Sequence, residues 1–285
     1  MKVIGIDIGG TAIKAGYFSS NQMLESLRYP TNASKGKEAV LRQILDAIHA
    51  LIKSHGHPQS IGVVSAGDID ERGVYGKVHN IECLEGFALG HVLEMAFHVP
   101  VYTANDAVGA LLCEMNRFPT LSNLVVLTFG TGVGCATLID GKIMHDERYD
   151  YGHRILVKDG EPCQCGKCGC AEKYLSATAL KKFAKLAYGK EIKTLDFFTR
   201  VRRKEKEALS VFRDYCSLLN LLLSKIEKDL KPQKIVLGGG VMGAKDVFVP
   251  AIRLEQGLYA FSEAGTKAGI IGASVLAQRY GVISQ

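Results

Sequence analysis

Four of the chain's eight cysteines fall in one short run, Cys163-Gln164-Cys165-Gly166-Lys167-Cys168-Gly169-Cys170-Ala171-Glu172, and His153 stands ten residues before the first of them. Thiolates bind soft and borderline cations, and one imidazole with three thiolates is a common tetrahedral zinc set. Four protein ligands would close the metal's shell and leave no position for a reactive water, so such a zinc is expected to be structural. A redox-active or disulfide cluster is the other reading of the same residues. Either would hold His153 and Glu172 in one fixed corner.

A second set of chemistry-bearing residues lies at glycine turns. Asp7-Ile8-Gly9-Gly10-Thr11, with Lys14 beyond, groups a carboxylate, a bare backbone turn, a hydroxyl and an ammonium. Glycines let backbone N–H groups converge on phosphate oxygens, and a carboxylate at a strand end can hold Mg²⁺ directly or through water. Gly130-Thr131-Gly132 repeats the turn about 120 residues on, and Gly238-Gly239-Gly240 follows an apolar strand, where an adenine ring could lie against backbone. Taken singly, the first two are plain hairpins and the third a plain strand-to-helix turn. Two such turns at matching places in two halves suggest opposite walls of one nucleotide cleft.

Asn105-Asp106 carries the expected reaction chemistry. Asp is a favoured N-cap, and Ala107 to Ala110 reads as a first helical turn. The cap and a catalytic role are compatible, because the helix dipole keeps a carboxylate ionised there and open α/β folds place ligands at strand carboxyl ends. An ionised Asp106 can take the proton of a hydroxyl attacking a γ-phosphorus; in a loose transition state a weak base suffices.

The elements that must position these residues follow from periodicity. Val3–Ile8, Ala12–Phe18 and Leu24–Tyr29 read as an antiparallel meander, and Lys37–Ser54 as a helix with one apolar face. Ile61–Ser65 is a buried strand, Leu89–Phe97 a helix, and Val101–Ala104 a strand leading into the helix that Asp106 opens. After Pro119–Ser122 the pattern begins again with strands at Leu124–Phe129 and Val133–Ile139 and a hairpin turn at Asp140-Gly141. A long helix over Lys206–Lys228, a short strand at Lys234–Leu237 and a last helix at Gly269–Gln278 complete the reading. Small residues Gly272, Ala273 and Ser274 allow that helix a close approach to another element. The expected domains are 1–118 and 119–285, with the C-terminal helix free to pack back on the first.

Composition narrows the class. The 285 residues are 47% hydrophobic and 22% charged, with a net charge of +6. No apolar run approaches the roughly 18 residues of a membrane helix, and Asp7 interrupts the apolar start, unlike a signal peptide. A cytoplasmic, reducing location is expected, which favours metal binding at the cysteines. The basic run Arg200, Arg202, Arg203, Lys204 and Lys206 lacks interleaved aromatics and is diluted by Glu205 and Glu207, so nucleic acid is not an expected partner.

Asp7-Ile8-Gly9-Gly10-Thr11-x-x-Lys14, Asn105-Asp106-Ala107, Gly130-Thr131-Gly132, Gly152-His153 and the Cys-x-Cys-Gly-x-x-Gly-Cys-x-Glu run together resemble the ROK group (repressors, open reading frames, kinases) of sugar kinases. The resemblance covers nearly the whole chain and implies the α/β actin-like ATPase fold, with two domains closing on an interdomain cleft. ATP with Mg²⁺ and a hexose or amino-hexose are the implied substrates, and a homodimer the implied assembly. Asp106 would be the base, and Asn105, Asp150, His153, Glu172 and Gly67 would join it around the sugar. Asp7, Gly9, Gly10, Thr11, Lys14, Gly130, Thr131, Gly132 and Gly238 to Gly240 would hold the nucleotide. His153, Cys163, Cys165 and Cys170 would hold structural Zn²⁺, with Cys168 at a variable position. Asp150 stands where the family usually has Glu, Ser65-Ala66-Gly67 where Pro-Gly is common, and Cys135-Ala136 where glycines are common. The leading expectation is a glucokinase-like enzyme, with an N-acetylmannosamine kinase as the alternative. A sugar-responsive regulator is the rival from another class; those carry a DNA-binding domain before the phosphate motif, and six residues precede Asp7 here. A sugar-binding protein without turnover would need Asp106 or a phosphate turn to be lost.

Overall fold

The computed structural model describes residues 1–70, 72–78 and 80–280. The chain divides into two compact units, one made of Met1–Pro119 with the stretch from Thr266 onward, the other of Thr120–Gly265.

In the first unit β1 (Lys2–Ile8), β2 (Ala12–Ser19), β3 (Gln22–Pro30), β4 (Ser60–Ser65) and β5 (Val101–Asn105) form one sheet in the order β3-β2-β1-β4-β5. The first three strands are antiparallel neighbours, whereas β4 runs parallel to both β1 and β5. Helix α1 (Lys37–His55) buries Val40, Ile44, Ala47, Ile48 and Leu51, the three-and-four spacing its sequence predicts. These residues share a core with Ile4, Ile6 and Ile8 of β1 and with Leu89, Leu93 and Phe97 of α2 (Leu89–Phe97). Helix α3 (Asp106–Arg117) follows β5 without a gap.

The second unit repeats this plan. Strands β6 (Leu124–Phe129), β7 (Val133–Ile139), β8 (Lys142–Met144), β9 (Lys234–Gly238) and β10 (Tyr259–Phe261) take the order β10-β9-β6-β7-β8. Read from its other edge, that is the strand succession of the first sheet, with the same antiparallel and parallel pairs. The recurring glycine turn is therefore the visible part of a repeated sheet. Asp140 and Gly141 both take positive φ and close the β7–β8 hairpin, as expected of that dipeptide. Helices α4 (Glu172–Leu175), α5 (Ala177–Tyr188), α6 (Thr194–Arg202), α7 (Lys206–Leu230) and α8 (Lys245–Phe248) lie between β8 and β10 in sequence. The buried face of α7 (Leu219, Leu222, Leu223, Ile226) packs with Leu127, Phe129 and Phe248.

Helix α9 (Ala268–Tyr280) belongs to the first unit, where the sequence left it free to pack. The physical reason is a row of glycines. Gly16, Gly5 and Gly62 are register partners across β2, β1 and β4. A Cβ on Gly5 would stand 2.3 Å from the Ile270 carbonyl oxygen, and one on Gly62 would stand 1.9 Å from that of Ala273. The helix backbone thus lies directly on the strands. Since successive strand residues face opposite ways, Ile4, Ile6 and Ile8 face the α1 side while Gly5 and Asp7 face α9. Both faces are covered, which is why β1 reads as an unbroken apolar run up to Asp7.

Candidate active site

In the first unit, parallel register brings three strand ends into line. Ile8 is level with Ser65, and Ser65 with Asn105, so the Gly9-Gly10-Thr11 turn, Gly67 and Asp106 follow side by side at the carboxyl ends of β1, β4 and β5. Asp7 and Lys14 are cross-strand partners, and Lys14 Nζ donates to Asp7 Oδ2 at 2.9 Å. The turn closes with Gly9 N–H donating to the Ala12 carbonyl at 3.0 Å. Among the described residues, the N–H groups of Gly10 and Thr11 donate to no protein acceptor.

The helix cap is Asn105, where the sequence placed it at Asp106. Asn105 Oδ1 accepts from Ala107 N–H at 2.7 Å, while its Nδ2 donates to the Gly67 carbonyl at 2.9 Å. Both ends of the amide are thereby used to tie α3 to the Gly67 turn, where φ is +90°. With the cap supplied one residue earlier, Asp106 is released from capping duty. The protein packed around Asp106 first, and the negative charge of Asp7 second, push its carboxyl up to about 6, against the N–H groups of Ala107 and Asp106 that stabilise the anion. The crowding opposes the helix end, which favours the ionised form. Solvent still reaches the side chain itself. The crowding lies in the wider shell, and the direct approach to the carboxylate stays open.

In the second unit the Gly130–Gly132 turn closes with Gly130 N–H on the Gly132 carbonyl at 3.0 Å. Its surroundings differ. Glu172, the first residue of α4, accepts from Val133 N–H through Oε2 at 3.1 Å, and a Cβ on Gly132 would stand 2.3 Å from that oxygen. Ala177 N–H donates to the Gly130 carbonyl at 2.7 Å and Thr178 Oγ1 to that of Thr131 at 2.8 Å. Glu172 and this glycine turn, read separately in the sequence, are in contact. The Gly238–Gly240 turn lies alongside: β9 is level with β6 at Thr128 and Gly238, and Gly239, at φ +88°, presses on the backbone of Phe129, where a Cβ would stand 2.5 Å from the carbonyl oxygen. Close approach of protein backbone already accounts for a glycine at 239.

Asp150 caps the short 3-10 turn Tyr151–His153, with Oδ1 accepting from Gly152 N–H at 3.0 Å. It is half-buried, which sets it apart from the exposed Asp146, Glu147 and Arg148 before it. Burial raises its pKa against the lowering pull of His153 and the Gly152 and His153 N–H groups, and Glu172 adds to the rise. Tyr151, buried beside it, donates to Asp229 Oδ2 at 3.1 Å and so anchors the turn to the end of α7. Tyr151 and Asp229 are positioning residues that the sequence reading missed; a Tyr beside Gly-His is the one local signal for them.

The metal-ligand set comes together. The ligand atoms of His153, Cys163, Cys165 and Cys170 lie within 4.8 Å of one another, with Cys163 Sγ 3.5 Å from His153 Nδ1 and Cys165 Sγ 3.5 Å from Cys170 Sγ. A tetrahedron of ~2.3 Å metal–sulfur bonds has edges of about 3.7 Å, so this Cys3His site could bind zinc. The sulfurs are far beyond the ~2.05 Å of a disulfide bond. Burial and the neighbouring thiols push Cys170 up to about 12; a cation would be needed to hold it as thiolate. Cys168 is exposed and outside the set. The Cys170–Glu172 stretch runs straight from the metal cluster to the glycine turn.

Of the basic run, Arg202 forms two 2.7 Å hydrogen bonds to Asp246, and Arg200 pairs with Glu205 at 2.8 Å. No helix among the described residues is long and apolar enough to cross a membrane.

A repeated five-stranded α/β sheet with glycine turns at its strand ends, an acidic residue opening a helix, and a Cys3His cluster define the class: the chain belongs to the ROK family, which it matches over residues 3–284. Its fold is the actin-like ATPase fold of that family's sugar kinases. It is 29% identical to a glucokinase of Halalkalibacterium halodurans over 97% of this chain and 94% of that protein. It is 30% identical to an N-acetylmannosamine kinase of Salmonella arizonae over 98% and 99%. A Streptomyces griseus ROK glucokinase solved with glucose and AMPPNP superposes with a TM-score of 0.81, at 25% identity over 98% of this chain and 100% of that one. These kinase relatives fit a sugar kinase function.

Proposed function

We propose that the chain is an ATP-dependent sugar kinase that phosphorylates a hydroxyl of a hexose or amino-hexose. The observation that carries this reading is Asp106: it opens α3 with its carboxylate not used as the cap, approachable and raised to about 6, level with a glycine turn whose flanking strands bear Asp7 and Lys14. A general base works best with a pKa near the operating pH. Asp106 takes the proton of the attacking hydroxyl, the oxygen–γ-phosphorus bond forms, and ADP leaves as the β–γ bridge breaks. The open N–H groups of Gly10 and Thr11 and the Lys14 ammonium receive nucleotide phosphates. Asp7 would hold Mg²⁺, which shields phosphate charge when bound. Gly130, Thr131, Gly132 and Gly238–Gly240 belong to the nucleotide side; Asn105, Gly67, Asp150, His153 and Glu172 to the sugar side.

In this reading His153, Cys163, Cys165 and Cys170 hold structural zinc. The protein works as a cytoplasmic homodimer on small-molecule substrates, which light scattering of the purified protein checks. The experiment that tests the function is ADP release with MgATP across glucose, N-acetylmannosamine, other amino sugars and glucosides. Sugar-dependent release above the water background supports it. None with any sugar, in protein that binds sugar, would favour the regulatory alternative.

A further inference from the structure

Thr31 is fully buried one residue past β3, and no part of the proposed mechanism uses it. Its hydroxyl donates to the Gly9 carbonyl at 2.5 Å, and its own N–H donates to the Thr11 carbonyl at 3.2 Å. One residue thus grips the first glycine turn on both sides of Gly10. The Ile8 carbonyl is held separately, by Ala66 N–H at 3.2 Å and by Ser65 Oγ at 3.3 Å, with the buried Tyr75 hydroxyl donating to Ser65 Oγ at 2.8 Å. The carbonyls of Ile8, Gly9 and Thr11 are therefore all engaged by protein donors. The N–H groups of Gly10 and Thr11 donate to no described acceptor. A rigid peptide plane ties each carbonyl to the N–H of the next residue, so fixing the Gly9 carbonyl fixes the Gly10 N–H, and the plane that carries the Thr11 N–H is left spanning two held points, the Gly9 and Thr11 carbonyls. Glycines lack that restraint and lose the most conformational freedom on ordering. An unheld Gly9-Gly10 turn would spend that entropy when an anion binds.

We infer that Thr31 is the positioning residue of the first glycine turn, holding the Gly10 and Thr11 N–H groups in the arrangement that receives nucleotide phosphates. The inference rests on the nucleotide reading above. Thr31→Val keeps the shape and removes the donor; Thr31→Ser keeps the donor; Thr31→Cys offers a weaker one. AMPPNP affinity by calorimetry and separate KM values for ATP and sugar are measured for all four proteins, with melting temperatures.

The expected result is AMPPNP binding about tenfold weaker in the Val variant, with KM for ATP raised and KM for sugar unchanged. Ser should restore binding to within about threefold, and Cys should fall between. A purely structural role would instead lower melting and affect both substrates alike. Wild-type AMPPNP affinity in the Val variant, or loss in Ser equal to that in Val, overturns the inference. Should Val not fold, wild-type affinity in Cys overturns it in the same way and graded loss in Cys supports it. If the wild-type protein itself binds no AMPPNP, the nucleotide reading has failed, and this inference with it.

Discussion

The two glycine turns occupy the same place in two sheets of the same strand order, yet they are equipped differently. At the first, the strand positions flanking the turn carry Asp7 opposite Lys14; at the second, the corresponding partners are Thr128 and Gly134. Among the described residues the N–H groups of Gly10 and Thr11, like those of Thr131 and Gly132, donate to no protein acceptor, but Val133 N–H beside the second turn is taken by the carboxylate of Glu172. Behind the first turn stand buried hydroxyls, Thr31 and Ser65; behind the second stand α4 and α5, carried by the stretch that leaves the Cys3His cluster. Repetition of the sheet fixes where a turn is placed but leaves its chemistry open. The first turn is flanked by a carboxylate–ammonium pair. The second has the Glu172 carboxylate against it and is joined through Cys170–Glu172 to the cluster of His153 and the cysteines.

The sharpest test of that division is Asp106, which follows the strand ends beside the first turn. Asp106→Asn should lower kcat by about 10²–10⁴-fold, the usual share of general-base assistance, with sugar binding kept. Activity of the wild-type protein should fall as pH drops through about 6, because only the ionised carboxylate accepts a proton. The stability effect has the opposite sense. A carboxyl raised from 3.8 in the unfolded chain to about 6 in the folded one favours folding when protonated. That contribution is present below about 3.8 and lost as pH rises through about 6. Asp106→Asn should therefore melt higher than wild type at pH 7–8, and the gap should close toward pH 4. Equal turnover in the two proteins would remove Asp106 from the mechanism.

Breaking the second turn's support comes next. Cys170→Ser should strip the metal, expected at one zinc per chain, and lower the melting temperature by several degrees, at roughly 2–4 °C per kcal/mol for a chain of this size. Through Glu172 the loss should loosen the Gly130–Gly132 turn, seen as faster amide exchange there, while Gly9–Thr11 exchanges as before. Uniform loosening of both turns would argue that they are not independently held. Smaller again is Lys14→Met. The Asp7–Lys14 pair is partly exposed, so its removal should change stability by no more than about 1 kcal/mol. KM for ATP should rise about tenfold, since a hydrogen bond to a charged group is worth roughly 1.5–3 kcal/mol. A KM unchanged for ATP would confine Lys14 to pairing with Asp7.

The repeated frame was legible because long, strongly periodic elements announce themselves. The α1 face, the β1 and β6 strands and the Asp140-Gly141 hairpin are all written in local spacing. Strands β8 and β10, three residues each, are too short to show a period and exist only through their neighbours. The metal-ligand grouping was legible where residue type alone suffices, as at Cys163, Cys165 and Cys170. The site was illegible where one residue's role depends on a distant partner. Thr31 looks like any threonine after a proline until Gly9 lies against it, and Asn105 competes with Asp106 for the cap until Gly67 claims the other end of its amide. The helix α9 falls between the two cases. Its small residues advertised a close approach, and the glycine row on β2, β1 and β4 that receives it was in plain view but meaningless before the register was known.

The finest test concerns Asp150, where the family usually carries Glu. Its carboxylate is committed to Gly152 N–H at 3.0 Å, closing the turn that presents His153. Asp is among the residues that cap well because its short side chain reaches back to an N–H two or three residues on. Glu places the carboxylate one methylene further out, on the order of 1.5 Å, and a hydrogen bond near 3 Å does not survive such a shift. Asp150→Glu should therefore do two separable things. Losing the cap should cost about 0.5–2 kcal/mol, read as a modest fall in melting temperature. The longer reach should move the ratio of kcat/KM for glucose over N-acetylmannosamine toward glucose by several-fold, because Asp leaves room at the pocket edge for a larger substituent or a bridging water. A lower melting temperature with an unchanged ratio would make Asp150 a cap and nothing more, and substrate choice would have to be sought in other residues around His153.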